Sequence, residues 1–180
     1  MEKETHSFPT EEVILPSKGI LYSKDSPLSK GVIEIKYMTA KEEDILTNQN
    51  YINNATVIDK LLQSLIVTPI NYDDLLIGDK NAILVAARIL GYGANYEFEW
   101  KGQQVSIDLT KLKEQEINKY LAEEGKNEFL AQDARSFRKH VKSIGGDIDL
   151  NVDIEMPDGT HEESVSLPIG ISFFWPDAEI

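Results

Sequence analysis

Residues 79–109 read DKNAILVAARILGYGANYEFEWKGQQVSIDL, and the spacing of their apolar residues changes part-way along. Up to Leu90 the apolar residues Ile83, Leu84, Ala86, Ala87 and Leu90 lie almost all round a helix, which predicts a buried one. Asp79 is placed as its N-cap, and Gly91 and Gly93 as its C-terminal stop. From Tyr96 the period becomes two. Tyr96, Phe98 and Trp100 point one way and Glu97 and Glu99 the other, and Lys101-Gly102 turns the chain into Val105, Ile107 and Leu109. That is the pattern of a β-hairpin. A buried helix followed by a hairpin places the chain in the α+β class.

Upstream, Val57, Ile58, Leu61, Leu62, Leu65 and Ile66 form one broad apolar face behind Asn54, taken as the N-cap, and Pro69 ends that helix. NYDDLL (71–76) reads as a helical turn. Thr39-Ala40-Lys41-Glu42 has the spacing of a capping box and starts a short helix over AKEEDILTN. Before it, short apolar runs alternate with Pro, Gly and Ser. Lys18-Gly19 and Ser29-Lys30-Gly31 are turn signals, and Val32, Ile33, Ile35 and Tyr37 make a β-type run. Residues 1–12 carry no periodic apolar pattern and read as a flexible acidic arm.

Downstream, LKEQEINKYLAEE and EFLAQDARSFRKHVKSI have helical patterns, with Gly145-Gly146 as a stop. Residues 147–173 repeat the hairpin theme. Ile148, Leu150, Val152, Ile154 and Met156 alternate with acidic or amide residues, and Pro157-Asp158-Gly159 turns the chain. Val165, Leu167, Ile169, Ile171 and Phe173 then continue the alternation. The expected organisation is an arm (1–12), a β segment with a small helical core (13–94), and two hairpins with intervening helices (95–180) that do not form an independent domain. On this reading Phe173 belongs to the packed face of the last strand. Phe174 points away, and Trp175 sits at the frayed end. These three aromatics, Phe174 and Trp175 above all, are the candidate partner-binding residues. Arg135, Arg138 and Lys139, on the one basic helix, are the second candidate set.

The chain has 180 residues, 41% hydrophobic and 27% charged, enough to bury a core without disulfides. It has no cysteine, which removes thiolate metal sites and Cys nucleophiles. A net charge of -13 opposes binding to phosphate backbones and to anionic membrane surfaces, and favours a basic protein surface. No stretch is apolar enough to span a bilayer, and the first residues lack the apolar core of a secretory signal.

Candidate chemistry is sparse. Asp147, Asp149, Asn151 and Asp153 have the spacing of calcium ligands, but Ile, Leu and Val fill every gap, so they read as the wet side of a strand. Asp158, His161, Glu162 and Glu163 sit on a turn with no second cluster at metal spacing. His6, His140 and His161 are far apart, and no nucleophile elbow, P-loop or dinucleotide fingerprint occurs. The expectation is a non-enzyme with no catalytic residue, no metal and no cofactor.

Several strings in order, LPSKGILY, YMTAKEEDIL, VIDKLLQSLI, DLLIGDKNAILVAARILGYG, SFRKHVKSIGGDIDL and FFWP, resemble the baseplate hub assembly proteins of T-even-like contractile-tailed bacteriophages. The resemblance covers about residues 13–176. In many relatives the turns of both hairpins carry paired cysteines of zinc-knuckle type. Here those turns read EWKGQQ and EMPDGTHEE, so zinc is not carried over, and Trp100 and Met156 fill the corresponding space. The resemblance implies a structural or assembly protein that docks onto other baseplate or hub proteins. It would act in the virion tail after assembly in the host cytoplasm, as a homo-oligomer or in several copies, without nucleic acid or membrane. The alternatives are a transient chaperone of a hub protein that leaves before the virion matures, and a metal-dependent enzyme built from distant carboxylates.

Overall fold

A computed structural model describes residues 8–115 and 145–175. Among these residues the fold is α+β: five α-helices and four separate two-stranded antiparallel sheets. Strand β1 (Thr10–Ile14) pairs with β2 (Val32–Lys36), so Thr10, Glu11 and Glu12 belong to a strand and not to an arm. Three short helices follow: α1 (Ala40–Leu46), α2 (Gln49–Asn53) and α3 (Val57–Leu65). The long helix α4 (Ile77–Tyr92) leads into the hairpin β3 (Asn95–Trp100) and β4 (Gln103–Asp108). A two-residue pair, β5 (Glu114–Gln115) with β6 (Asp147–Ile148), precedes the second hairpin, β7 (Asn151–Glu155) with β8 (His161–Ser166). A single turn of helix, α5 (Ile171–Phe174), follows.

The capping box forms as read. Glu42 accepts the Thr39 N–H at 3.0 Å and its hydroxyl at 2.6 Å. Asn54, in contrast, ends α2, and Thr56 is the N-cap of α3. The extra helix arises because Asn48 accepts the N–H groups of Asn50 and Tyr51 and so starts a turn of its own. The buried face of α3 is Val57, Leu61, Leu62 and Leu65, as its spacing predicts. NYDDLL contains a 3₁₀ turn at Tyr72–Asp74.

Helix α4 starts three residues earlier than expected, which puts Asp79 inside its first turn and not at the cap. Gly91 lies within the helix, and Gly93, with φ 83°, ends it. Gly78 and Gly146 have a further role. A Cβ on Gly78 would lie 2.0 Å from the Gly146 carbonyl oxygen, and one on Gly146 would lie 2.1 Å from that of Pro16. Three backbones, from the N-terminal turn, the residues before β6 and the start of α4, thus stack with no side chain between them.

The alternation over 148–156 is correct in its faces, but the strand is not continuous. Asp149 accepts the Asn151 N–H and breaks it into β6 and β7. The last strand stops at Ser166, well short of Phe173. Pro168 has no N–H to continue a ladder, and the chain turns at Gly170 into α5. One apolar core runs through the described residues, from Val13, Ile33 and Ile35 through α3 and α4 to Phe98, Val165 and Phe173.

Candidate functional site

Each end of α4 carries a buried charged side chain, Asp79 at one and Arg88 at the other. At the N-terminal end Asp79 is fully buried. One of its carboxylate oxygens accepts the Ser17 N–H at 3.0 Å, and the other accepts the Tyr22 hydroxyl. Tyr22 in turn accepts the Leu76 N–H at 3.0 Å. Burial pushes the Asp79 carboxyl above its ordinary range; the Tyr22 and Ser17 hydrogen bonds only partly oppose this, and the Asp147 carboxylate adds to it. Burial and the neighbouring Asp79 charge push the Tyr22 phenol up as well. This node fastens the turn at Pro16–Gly19 to the start of α4.

At the other end the Arg88 guanidinium is buried. Its Nη1 donates to the Gly93 carbonyl at 2.7 Å and its Nη2 to the Asn95 carbonyl at 3.1 Å. It lies 5.5 to 6.0 Å from the ring centroids of Tyr92, Tyr96 and Phe173. Its Nε has no acceptor among the described residues, and burial lowers its pKa. A cation near carbonyls at a helix C-terminus and near aromatic rings is electrostatically favoured without a carboxylate.

Those rings settle where two of the candidate aromatics lie. Phe173 packs edge-on against Tyr96 at 4.8 Å between centroids, and Phe174 packs edge-on against Phe173 at 5.3 Å. The Tyr96 hydroxyl donates to the Pro168 carbonyl at 2.8 Å and holds the approach to α5 in place. Phe173 and Phe174 are both 0% exposed. The expectation that Phe174 points away from the core is therefore corrected: a helical turn, unlike a strand, brings adjacent residues to one side. Burial of each ring stabilises this chain by about 1.5–3 kcal/mol. Trp175 is half-buried as the C-cap of α5. Arg135, Arg138 and Lys139 lie outside the described residues, as do His6 and His140.

A third polar centre joins β2, α1 and α3. The Glu42 carboxylate, 0% exposed, accepts from Lys36 at 2.7 Å, from Ser64 at 2.6 Å, and from the Thr39 hydroxyl and N–H. Burial pushes its pKa up, but these four hydrogen bonds outweigh it and hold the carboxyl at about 2. The sequence pointed to Thr39 and Glu42 but not to Lys36 or Ser64.

An open cleft of about 520 Å³ is lined by Asn81, Lys113, Glu114, Asp147, Asp149 and Asn151, among others. Its polar groups are largely engaged: Asn81 donates to Asp147 at 2.9 Å, and Glu114 pairs with Lys18 at 2.9 Å. The hairpin tips are tied to each other by Lys101–Glu162 at 2.6 Å and Gln103–Asp158 at 3.1 Å. Met156 is buried beneath them. Trp100 is half-buried, and its indole N–H has no acceptor among the described residues. No cluster of three His, Cys, Asp or Glu suited to a metal ion occurs among the described residues, and none of their helices is long and apolar enough to cross a membrane. Comparison of the chain with protein-family models, with curated proteins and with solved structures gives no match.

Proposed function

We propose that this chain is a non-enzymatic structural or assembly protein of a bacteriophage contractile-tail baseplate, working in the hub region by protein–protein docking. The observation that carries this reading is the order and spacing of the strings from LPSKGILY to FFWP over residues 13–176. The chemistry of the buried polar groups is compatible with it. Asp79, Arg88 and Glu42 each tie two or more chain segments together, the work of a scaffold that holds its surfaces in fixed geometry. An acidic chain of net charge -13 suits a basic neighbouring surface. The test is mass spectrometry of purified virions and of tail-assembly intermediates. The protein is expected in both. Presence in intermediates alone would replace a permanent component with a transient chaperone, and absence from both would end the baseplate reading.

A further inference from the structure

The two edges of the β1–β2 sheet are treated differently. The register of β1 and β2 pairs residues whose numbers sum to 46, and bonds from the Tyr37 N–H to the Pro9 carbonyl and from the Leu15 N–H to the Gly31 carbonyl fix its phase. Residues 9, 11, 13 and 15 therefore bond toward β2. On the far side of β2, Glu34 is covered: its carbonyl accepts the Val67 N–H at 2.9 Å and its N–H donates to the Thr68 hydroxyl at 2.8 Å. On the far side of β1 the N–H and C=O groups of Thr10, Glu12 and Ile14 point outward. They meet no partner among the described residues.

An open strand edge is a template for another strand. Its side chains narrow the choice. Thr10, Glu12 and Ile14 share one face, and Ile14 is 65% exposed there. Glu12 stands directly opposite Glu34, a like-charge pair that disfavours the sheet as it stands. A second copy paired antiparallel about Glu12 would set glutamate against glutamate. A strand carrying a cation at that position would relieve the repulsion, and an apolar neighbour two residues along would cover Ile14. We propose that the outer edge of β1 receives an extended, basic segment of a partner protein by strand addition, with a Lys or Arg opposite Glu12 and an apolar side chain over Ile14. The glutamates that favour this guest also reject another copy of the acidic chain. This edge would serve a basic partner whether or not the protein belongs to a baseplate. Absence of the protein from virions would leave the proposal intact.

The test uses the full chain and two capped peptides, Val-Thr-Lys-Thr-Val and Val-Thr-Glu-Thr-Val, with amide hydrogen exchange followed residue by residue. The lysine peptide is expected to slow exchange at Glu12 and Ile14, and added salt to weaken it. The glutamate peptide is expected to leave both amides unchanged. Glu12→Lys should weaken the lysine peptide about tenfold or more and favour the glutamate one. Glu12→Pro should abolish binding with little change in thermal midpoint, because the Glu12 N–H makes no bond within the sheet. Equal effects of both peptides, or no slowing by either, would overturn the proposal. So would slowing that follows protein concentration without peptide, which would assign the edge to a second copy.

Discussion

Helices α1 and α4 each place a carboxylate at their third residue, Glu42 and Asp79, and both side chains are fully buried. Position and burial are shared, and both sit at the favourable end of a helix dipole. Their pKa values nevertheless move in opposite directions: Glu42 falls to about 2 and Asp79 rises. The difference lies in the donors. Glu42 faces the Lys36 cation, two hydroxyls and a backbone N–H, whereas Asp79 has only neutral donors and lies within reach of the Asp147 charge. The ligand set, not depth, decides which buried carboxylate keeps its charge easily.

The largest effect should come from breaking the better-supplied site. Glu42→Ala leaves Lys36, Ser64 and Thr39 facing a buried void, and removal of one member of a buried ion pair costs about 3–5 kcal/mol. Urea denaturation at neutral pH measures this directly, and a loss below that of an ordinary surface substitution would mean that the centre is not closed as described. Acid reaches the same centre more gently. The folded pKa lies below the ordinary value of 4.5, so the stabilisation is present above that value and lost as the pH falls from 4.5 through about 2. Roughly 2–3 kcal/mol should disappear over that window, and Glu42→Gln should flatten the profile there.

Asp79 supplies the opposite slope. Its raised pKa means that its contribution is fullest below the ordinary aspartate range and declines as the pH rises through the raised value. Asp79→Ala removes the acceptor for Ser17 and Tyr22 and should cost about 1–3 kcal/mol. Asp79→Asn keeps one acceptor oxygen, should cost less, and should remove the downward slope. A denaturation series across pH on both variants tests the sign. A wild-type stability that rises over the window where Asp79 titrates, and keeps that rise in Asp79→Asn, would contradict the assigned direction.

The two carboxylates were not equally legible. Thr39 and Glu42 are three residues apart, and their spacing alone announces a capping box. For Asp79 a local pattern offers no role but that of an N-cap. Its actual donors, Ser17 and Tyr22, lie 62 and 57 residues away. The same limit explains the C-terminal aromatics. Apolar residues alternate through Phe173, but the backbone leaves the sheet at Ser166, and only the position of Tyr96 under Pro168 reveals where the turn carries Phe174. Helices α3 and α4 and both hairpins were visible because their periods are local. Strand β1 was not, since Thr10, Glu11 and Glu12 look like a solvated arm until β2 is placed beside them.

The smallest effect belongs to a pair that resembles Lys36–Glu42 in everything but its surroundings. Lys101 and Glu162 approach to 2.6 Å, as close as Lys36 and Glu42 at 2.7 Å, and they join the tips of two separate hairpins. The Lys101 side chain is 60% exposed, however, while those of Lys36 and Glu42 are 16% and 0% exposed. Water already solvates the exposed ions, salt screens them, and holding two long side chains together costs entropy, so such pairs contribute about 0–1 kcal/mol. Lys101→Ala should therefore shift the urea midpoint little, and 0.5 M salt should erase what shift there is. A loss comparable with that of Glu42→Ala would show that the contact between the hairpin tips, and not burial, sets the strength of these ion pairs.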